Sequence, residues 1–438
     1  MRTDFSPDQL ADPAMASSEA AIRKCVHCGF CTATCPTYVL LGDELDSPRG
    51  RIYMIKDMLE KERRPSPTIV KHVDRCLSCL SCATTCPSGV NYMHLVDHAR
   101  AYIHEHYARP LHERALRRAL AWVLPYPGRF RLALRAAAIG RPLQRLLASI
   151  GALKPLAAMI KLAPRNIAPG AVAISTSVSG ARGRVALLKG CAEPVLRPSF
   201  RAAAVRLINR ARFDVVFAEG EGCCGALVHH MGREADGLAA ARRNVDAWSH
   251  EIETRGLSAI VTTASGCGAM IKNYGFILQN EPDYADKAKR VSALVKDITE
   301  FLVDADLPPG NGRGLAVAYQ SACSLQHGQR VTAAPVRLLA AAGYDVRLPT
   351  EAHLCCGSAG TYNILQPDIA EQLGDRKAAR LVELQPDVVA TGNIGCAMQI
   401  GSRVDLPVVH TVELLDWATG GPKPDGLGDH QKKGTVCE

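Results

Sequence analysis

From residue 183 onward, short apolar runs alternate with stretches whose apolar positions recur every three or four residues. Arg184–Lys189 (RVALLK), Phe213–Ala218 (FDVVFA) and Ala259–Thr263 (AIVTT) have the length and β-branched content of buried strands. Ser199–Arg210 and Arg233–Arg255 between them have helical periodicity. The same order returns with strands at Leu315–Tyr319, Tyr344–Leu348 and Asp387–Ala390 and helices at Val331–Ala342 and Pro367–Glu383. Strand and helix in alternation predict parallel sheets covered by helices. Before residue 106 the chain shows Ala, Leu and Lys helical patterns with little β-branched clustering, which predicts a small α-helical domain.

The cysteines turn this alternation into a repeat. Of 17, eight lie between Cys25 and Cys86, eight between Cys191 and Cys396, and Cys437 lies in the tail. Cys191, Cys223 and Cys224 recur as Cys323, Cys355 and Cys356 after 132 residues, and Cys267 recurs as Cys396 after 129. Two homologous α/β modules are expected, each carrying Cys-Cys-Gly. The chain divides into a helical domain (1–105), a basic amphipathic helical linker (106–182), a first Cys-Cys-Gly module (183–308), a second (312–419) and a Gly/Pro/Asp/Lys-rich tail (420–438) expected to be disordered. Within the modules every cysteine follows a strand end, where open parallel sheets build their sites. Four thiols from three strand ends can therefore meet at one point.

Composition narrows the class. With 47% hydrophobic and 22% charged residues, the 438-residue chain is neither disordered nor collagen-like. The net charge of +9 is local: Arg100 to Arg165 carries thirteen Lys and Arg against Glu105 and Glu113, so the remainder is slightly acidic. Within that stretch Arg114–Leu124, Arg129–Ala138 and Pro142–Ile150 set arginines beside apolar faces, with Trp122, Tyr126 and Phe130 interleaved. Two readings stand: an interfacial helix on anionic lipid, or a linker packed on the protein's own domains or on an acidic partner. Nothing else in the chain supports nucleic-acid binding. The longest apolar run, Leu146 to Ile160, is broken by Lys154 and Pro155 and is too short to span a bilayer. Asp4, Asp8 and Asp12 stand where a secretory leader needs basic and apolar residues, so a cytoplasmic location is expected. There thiols stay reduced and cysteine groups read as metal sites.

The strongest motif is Cys25-x2-Cys28-x2-Cys31-x3-Cys35-Pro36, repeated as Cys76-x2-Cys79-x2-Cys82-x3-Cys86-Pro87. This is the bacterial ferredoxin run for 4Fe–4S clusters, whose fourth cysteine ligates the other cluster in two-cluster proteins. Cluster I is thus assigned to Cys25, Cys28, Cys31 and Cys86, and cluster II to Cys76, Cys79, Cys82 and Cys35. Zinc knuckles usually show paired cysteines separated by a longer gap. The modules offer Cys191, Cys223, Cys224 and Cys267, and Cys323, Cys355, Cys356 and Cys396. An additional iron–sulfur cluster, a zinc ion and a redox-active dithiol all remain open for these sets. Gly220-Glu-Gly222-Cys-Cys-Gly225 also matches a dinucleotide fingerprint, but Glu351 to Gly357 keeps the cysteines and lacks the first two glycines. What repeats is the thiol pair. His229, His230 and His327 stand near thiols, and capping or solvated roles are expected for them. No acid–base or nucleophilic constellation appears, so no catalytic residue is assigned.

The stretch Cys25 to Tyr38, with Leu41-Gly-Asp-Glu-Leu45 and Ser47-Pro-Arg-Gly-Arg-Ile52, resembles the family of iron–sulfur subunits of bacterial glycolate oxidases. So do Cys76-Leu-Ser-Cys-Leu-Ser-Cys82, Thr85 to Val90, Ala264-Ser-Gly-Cys-Gly268 and His353 to Tyr362. The resemblance runs from Ala20 to Trp417 and extends to lactate-utilisation proteins, anaerobic glycerol-3-phosphate dehydrogenase subunits and heterodisulfide reductases. It implies an electron-transfer subunit of an oxidoreductase complex, with FAD in partner flavoprotein subunits and not in this chain. Those partners would oxidise glycolate, and D-lactate too, and electrons would pass to a membrane quinone through peripheral contact with the inner face of the cytoplasmic membrane. The alternatives are a heterodisulfide-reductase-like thiol/disulfide catalytic subunit and the iron–sulfur subunit of a lactate or glycerol-3-phosphate dehydrogenase. Heterodisulfide-reductase modules end in Cys-x-x-Cys, whereas here the first positions are Ala264 and Asn393. One thiolate per module is missing from the catalytic pattern.

Overall fold

The computed structural model describes residues 1–149, 151–163, 175–305 and 307–427. Ile150, the rest of the expected linker between 164 and 174, and the tail from 428, with Cys437, lie outside the described residues. The N-terminal domain is helical. Its helices start in one recurring way, with a capping side chain followed by proline. Asp12, Ser47 and Ser66 cap the helices Pro13–Arg23, Pro48–Glu60 and Pro67–Asp74. The cap satisfies a free amide, and proline at the first helical position gives up a donor that had no partner there. These helices and Tyr92–His106 close around Ile22, Ile55, Met58, Leu59, Leu95 and Ile103, all buried.

Two four-stranded parallel sheets follow. The first contains β1 (Gly183–Leu187), β2 (Phe213–Val216), β3 (Ala259–Thr262) and β4 (Val295–Asp297), ordered β2-β1-β3-β4. The second contains β5 (Ala316–Gln320), β6 (Asp345–Arg347), β7 (Val388–Thr391) and β8 (Val408–His410), ordered β6-β5-β7-β8. The expected α/β architecture and the internal repeat are present, and six of these strands fall where the apolar runs placed them. The edge strands β4 and β8 are additional. Each is three residues long, too short to display a period. Each runs directly into a helix through a capping box, Asp297 with Glu300 and His410 with Glu413.

The modules share one core. Val185, Leu187 and Val261 of the first sheet and Val317, Tyr319 and Val388 of the second belong to a single apolar cluster. Helices Pro198–Arg210, Ile298–Val303, Ala333–Ala341 and Thr411–Ala418 contribute to the layer between them. Buried Asp416 accepts from Arg206 at 2.8 Å and from Arg210 at 2.5 Å across this layer. His410 Nε2 donates to the Thr263 carbonyl at 2.8 Å, while its Nδ1 accepts from the Val412 amide. That neutral tautomer agrees with burial pushing the imidazole down to about 4.

The basic segment forms helices Leu111–Val123 and Pro127–Gly140, followed by shorter ones. It lies over both modules: Leu120 packs on Val228 and Met231 of the first and on Ile364 of the second, Leu134 packs on Val195, and Lys154 and Lys161 pair with Asp368 and Glu371 of the second. Arg109 and Arg117 both pair with Asp74 of the N-terminal domain. Part of the basicity is therefore spent inside the molecule. The tail expected to be disordered from 420 is ordered over its described residues, 420–427, because Leu427 packs into the shared core. Among the described residues no helix is long and apolar enough to cross a membrane.

Asp297 gives a pH test of the core. Its carboxyl is fully buried, caps Thr299, and is pushed up to about 6 by burial. A carboxyl raised above its unfolded value contributes stability that is complete below about pH 4 and is lost as pH rises through about 6. Asn also caps helices. Urea midpoints of Asp297→Asn are therefore expected to decline less between pH 4 and 6 than those of the parent. Parallel pH profiles would contradict this assignment.

Candidate metal centres

The two ferredoxin runs fold into matching loops. In the first, His27 and Gly29 have positive φ of 55° and 85°, and in the second Ser78 and Leu80 have 49° and 62°. These residues flank the middle cysteine of each run. The left-handed turns wrap each backbone so that its cysteines face one hollow. Leu80 is held in a conformation that costs an L-residue about 1–2 kcal/mol. Such strain persists where the surroundings over-determine it.

One hollow is lined by Cys25, Cys28, Cys31 and Cys86, and a second by Cys35, Cys76 and Cys79, with Cys82 bordering both. The fourth cysteine of each run thus faces the hollow built by the other run. Burial pushes Cys31 up to about 11. Cys79 and Cys82 lie far above the ordinary thiol range through burial and then the charge of neighbouring thiolates. A donor set of this kind suits a soft cation that supplies the missing positive charge. The residues present fit iron–sulfur clusters on those grounds.

Side chains that the motif does not contain complete the second hollow. Arg51, 1% exposed, places Nη1 3.8 Å from Cys35 Sγ. It also donates to the His72 carbonyl (2.7 Å), Thr37 Oγ1 (3.0 Å) and buried Asp46 (3.1 Å). Tyr92 Oη lies 3.8 Å from Cys76 Sγ. The sequence offers no signal for this, because Arg49 and Arg51 stand two residues apart in Pro48–Glu60 and only the fold buries one of them.

In the modules the thiols converge as the strand ends predicted. Cys191 and Cys223 Sγ are 3.5 Å apart, Cys323 and Cys355 3.6 Å, and Cys356 and Cys396 3.4 Å. Hydrogen bonds from Cys191 and Cys224 hold Cys223 well below the thiol range. A second layer holds the loop: Asn244 Nδ2 donates to the Cys223 carbonyl (3.1 Å) and Tyr274 to that of Cys224 (2.7 Å). Cys267 stands in the first turn of helix Ser265–Lys272, beside Cys224. In the second module Lys377, 3% exposed, donates to the Glu351 carbonyl (2.8 Å) close to the thiol set. Both Cys-Cys-Gly glycines have positive φ, 86° at Gly225 and 83° at Gly357. A Cβ on Gly357 would stand 2.6 Å from the Ala370 carbonyl oxygen.

Asn393 occupies the place where a further thiolate would stand. Its Oδ1 accepts from the amides of Gly395 (2.8 Å) and Cys396 (3.4 Å), and its Nδ2 donates to Ser265 Oγ (2.9 Å). The position serves as a helix cap and a contact between modules. The histidines bridge domains. His230 Nδ1 lies 3.1 Å from Asp97 Oδ1, and His327 Nδ1 lies 2.8 Å from Thr84 Oγ1.

The models of two known families match this chain: a 4Fe–4S dicluster domain over residues 21–90 and a cysteine-rich domain over 185–272 and 317–401. The glycolate oxidase iron–sulfur subunit of Escherichia coli (strain K12) is 41% identical over 419 residues, covering 95% of this chain and 99% of that protein. The chain belongs to the family of glycolate oxidase iron–sulfur subunits. A probable member from Bacillus subtilis (strain 168) is 29% identical over 92% of this chain and 95% of its own length. Lactate utilization protein A of Bacillus licheniformis is 29% identical over 53% of this chain and 99% of its own length. A hypothetical protein from Helicobacter pylori shares the fold, with a TM-score of 0.51 over 86% of this chain and 73% of its own at 10% identity. The similarity to the glycolate oxidase iron–sulfur subunit of Escherichia coli covers 95% of this chain, and both matched domain types lie within it.

Three substitutions test the packing of these sites. Gly357→Ala combines left-handed strain with a backbone clash and is expected to cost about 2–4 kcal/mol in denaturant unfolding. Gly225→Ala, whose nearest carbonyl is at 3.0 Å, should cost less. Arg51→Met leaves Asp46 buried with reduced compensation and should cost about 3 kcal/mol. Unchanged midpoints would remove the geometric argument.

Proposed function

We propose that this chain is the electron-carrying subunit of a complex in which flavin-bearing partners oxidise glycolate, and D-lactate too. Cluster I is held by Cys25, Cys28, Cys31 and Cys86, and cluster II by Cys76, Cys79, Cys82 and Cys35. A bound 4Fe–4S cluster supplies one-electron redox chemistry. A 2-hydroxy acid gives up two electrons to an organic cofactor, and that cofactor belongs to the partners.

The observation that carries this reading is that three thiol sets are contiguous. The first two hollows share Cys82. Cys79 in turn belongs to one buried cluster with Cys355, joined by Cys323. The series starts at the surface, where Cys28 is exposed beside Val26 and Phe30, both more than 60% exposed. An apolar rim around a surface-facing set suits the docking of an electron donor. The Cys-Cys-Gly sets would hold a further iron–sulfur cluster or zinc. Metal analysis separates these: about eight iron atoms per chain fit two cubanes alone, and more iron or added zinc reports on the modules.

The reading as a thiol/disulfide catalyst of the heterodisulfide-reductase type is disfavoured by Asn393, whose side chain is committed to capping. Contact with a membrane and its quinone pool is supported by the outer face of the basic segment, where Leu132, Ile139 and Leu146 are all more than 60% exposed among arginines.

In the complex, Cys355→Ser should leave bleaching of the partner flavin by glycolate intact while slowing electron exit to an external acceptor at least tenfold. Loss of bleaching in a fully assembled complex would place these thiols in substrate chemistry and end the carrier reading. Cys86→Ser should alter the electron paramagnetic resonance signal of the cluster built on Cys25, Cys28 and Cys31. If only the other cluster changes, the exchanged assignment is wrong.

A further inference from the structure

The two modules are copies, yet their thiol sets are covered differently. The second set is covered by the ferredoxin loop, with Leu77 and Cys79 packed against Cys355 and Tyr362. The first set is roofed by the basic segment, and the roof does not close. Between helices Leu111–Val123, Pro127–Gly140 and Glu234–Arg255 lies a cavity of about 640 Å3, with Cys223 on its wall. That volume is in the range of small-molecule sites.

We infer that the cavity over Cys223 is a binding site for a small organic carboxylate with a flat apolar body. Four guanidiniums face it, from Arg118, Arg129, Arg233 and Arg243, against one carboxylate, Asp236. Arg233 is paired with Asp236. Among the described residues Arg118 and Arg129 have no ion-pair partner, and Arg243 has none beyond the Cys223 thiol loop it faces. Three like charges around a half-enclosed space repel one another more strongly than in open water, and an anion between them removes that penalty.

The arrangement is also ordered in advance. The Arg129 guanidinium lies 4.5 Å from the ring centroid of Trp122 and 4.1 Å from that of Tyr126, and its Nη1 donates to the Trp122 carbonyl at 3.1 Å. Arg243 Nη2 donates to the Cys223 carbonyl at 3.4 Å, so this cation is tied to the thiol loop. Side chains already held in place lose little freedom on binding, and a guanidinium fork matches a carboxylate in two parallel hydrogen bonds. Trp122 and Tyr126 add an aromatic wall. A bare inorganic anion has no use for that wall, whereas the carbon frame of an organic acid does. The site does not depend on the electron-carrying reading, since it requires only the placement of the basic segment on the first module.

The test uses the full, metal-loaded chain titrated with sodium benzoate, sodium glyoxylate and inorganic phosphate, by calorimetry and by the fluorescence of Trp122, one of three tryptophans. Benzoate is expected to bind once per chain and at least tenfold more tightly than phosphate. Arg243→Gln and Arg118→Gln should each weaken it at least fivefold, and Trp122→Leu should erase the preference for benzoate over phosphate. Visible absorption of the metal centres, unchanged in these variants, shows that the fold is kept. Arg118, which has no ion-pair partner among the described residues, serves if Arg243→Gln disturbs the thiol loop. Absence of saturable carboxylate binding, phosphate binding as tight as benzoate, or affinity unchanged in both arginine variants would each overturn the proposal.

Discussion

Sulfur atoms that ionise cannot be crowded together in a protein interior without positive charge between or beside them. Each thiolate resists burial, and each raises the cost of the next. This chain gathers sixteen cysteines into four sets, most of them buried. The rest of the architecture answers that constraint. Left-handed residues at 27, 29, 78 and 80 aim thiols into shared hollows, and strand ends bring four more together in each module. Arg51 and Lys377, cations that would otherwise be excluded from such depths, stand beside thiol sets, Arg51 anchored by a backbone carbonyl, a hydroxyl and a buried carboxylate and Lys377 by a backbone carbonyl. Metal is the remaining source of positive charge, and the family to which the chain belongs is named for it.

Much of this was legible in the sequence because it is carried by spacing. Cys-x2-Cys-x2-Cys-x3-Cys-Pro states both the ligand type and the loop length, and the 132-residue offset declares the modules before any fold is known. The inner strands β1, β3, β5 and β7 were legible because they are apolar over four or five residues, and the edge strands β2 and β6 because each follows a helical stretch at the same place in both repeats. What escaped has a physical pattern of its own. β4 and β8 are three residues long and take their identity from pairing with β3 and β7. Arg51 and Tyr92 reach the second hollow from elements distant in sequence. The role of Asn393 appears only when its side chain is seen capping the helix that carries Cys396.

The basic segment shows how one composition serves two surfaces. Read alone, its arginines could face lipid or protein. In the fold, Arg109 and Arg117 neutralise Asp74 and Arg129 lies against two aromatic rings, while the apolar residues on the far side remain uncovered. The segment is also what distinguishes the two copies of the module. Duplication supplied two equivalent thiol sets, and the flanking elements made them unequal: one lies against the ferredoxin loop, the other opens to an arginine-lined cavity.

The contiguity of the thiol sets is the centre of this account, and magnetic resonance tests it most directly. Two clusters held as proposed, in hollows that share the Cys82 wall, would lie close enough for their spins to interact. Electron paramagnetic resonance of the fully reduced chain should therefore show split, broadened signals that simplify to one isolated cluster in partially reduced samples. Two independent, unsplit signals at full reduction would mean that the clusters are separate, and the continuous path drawn here would be contradicted.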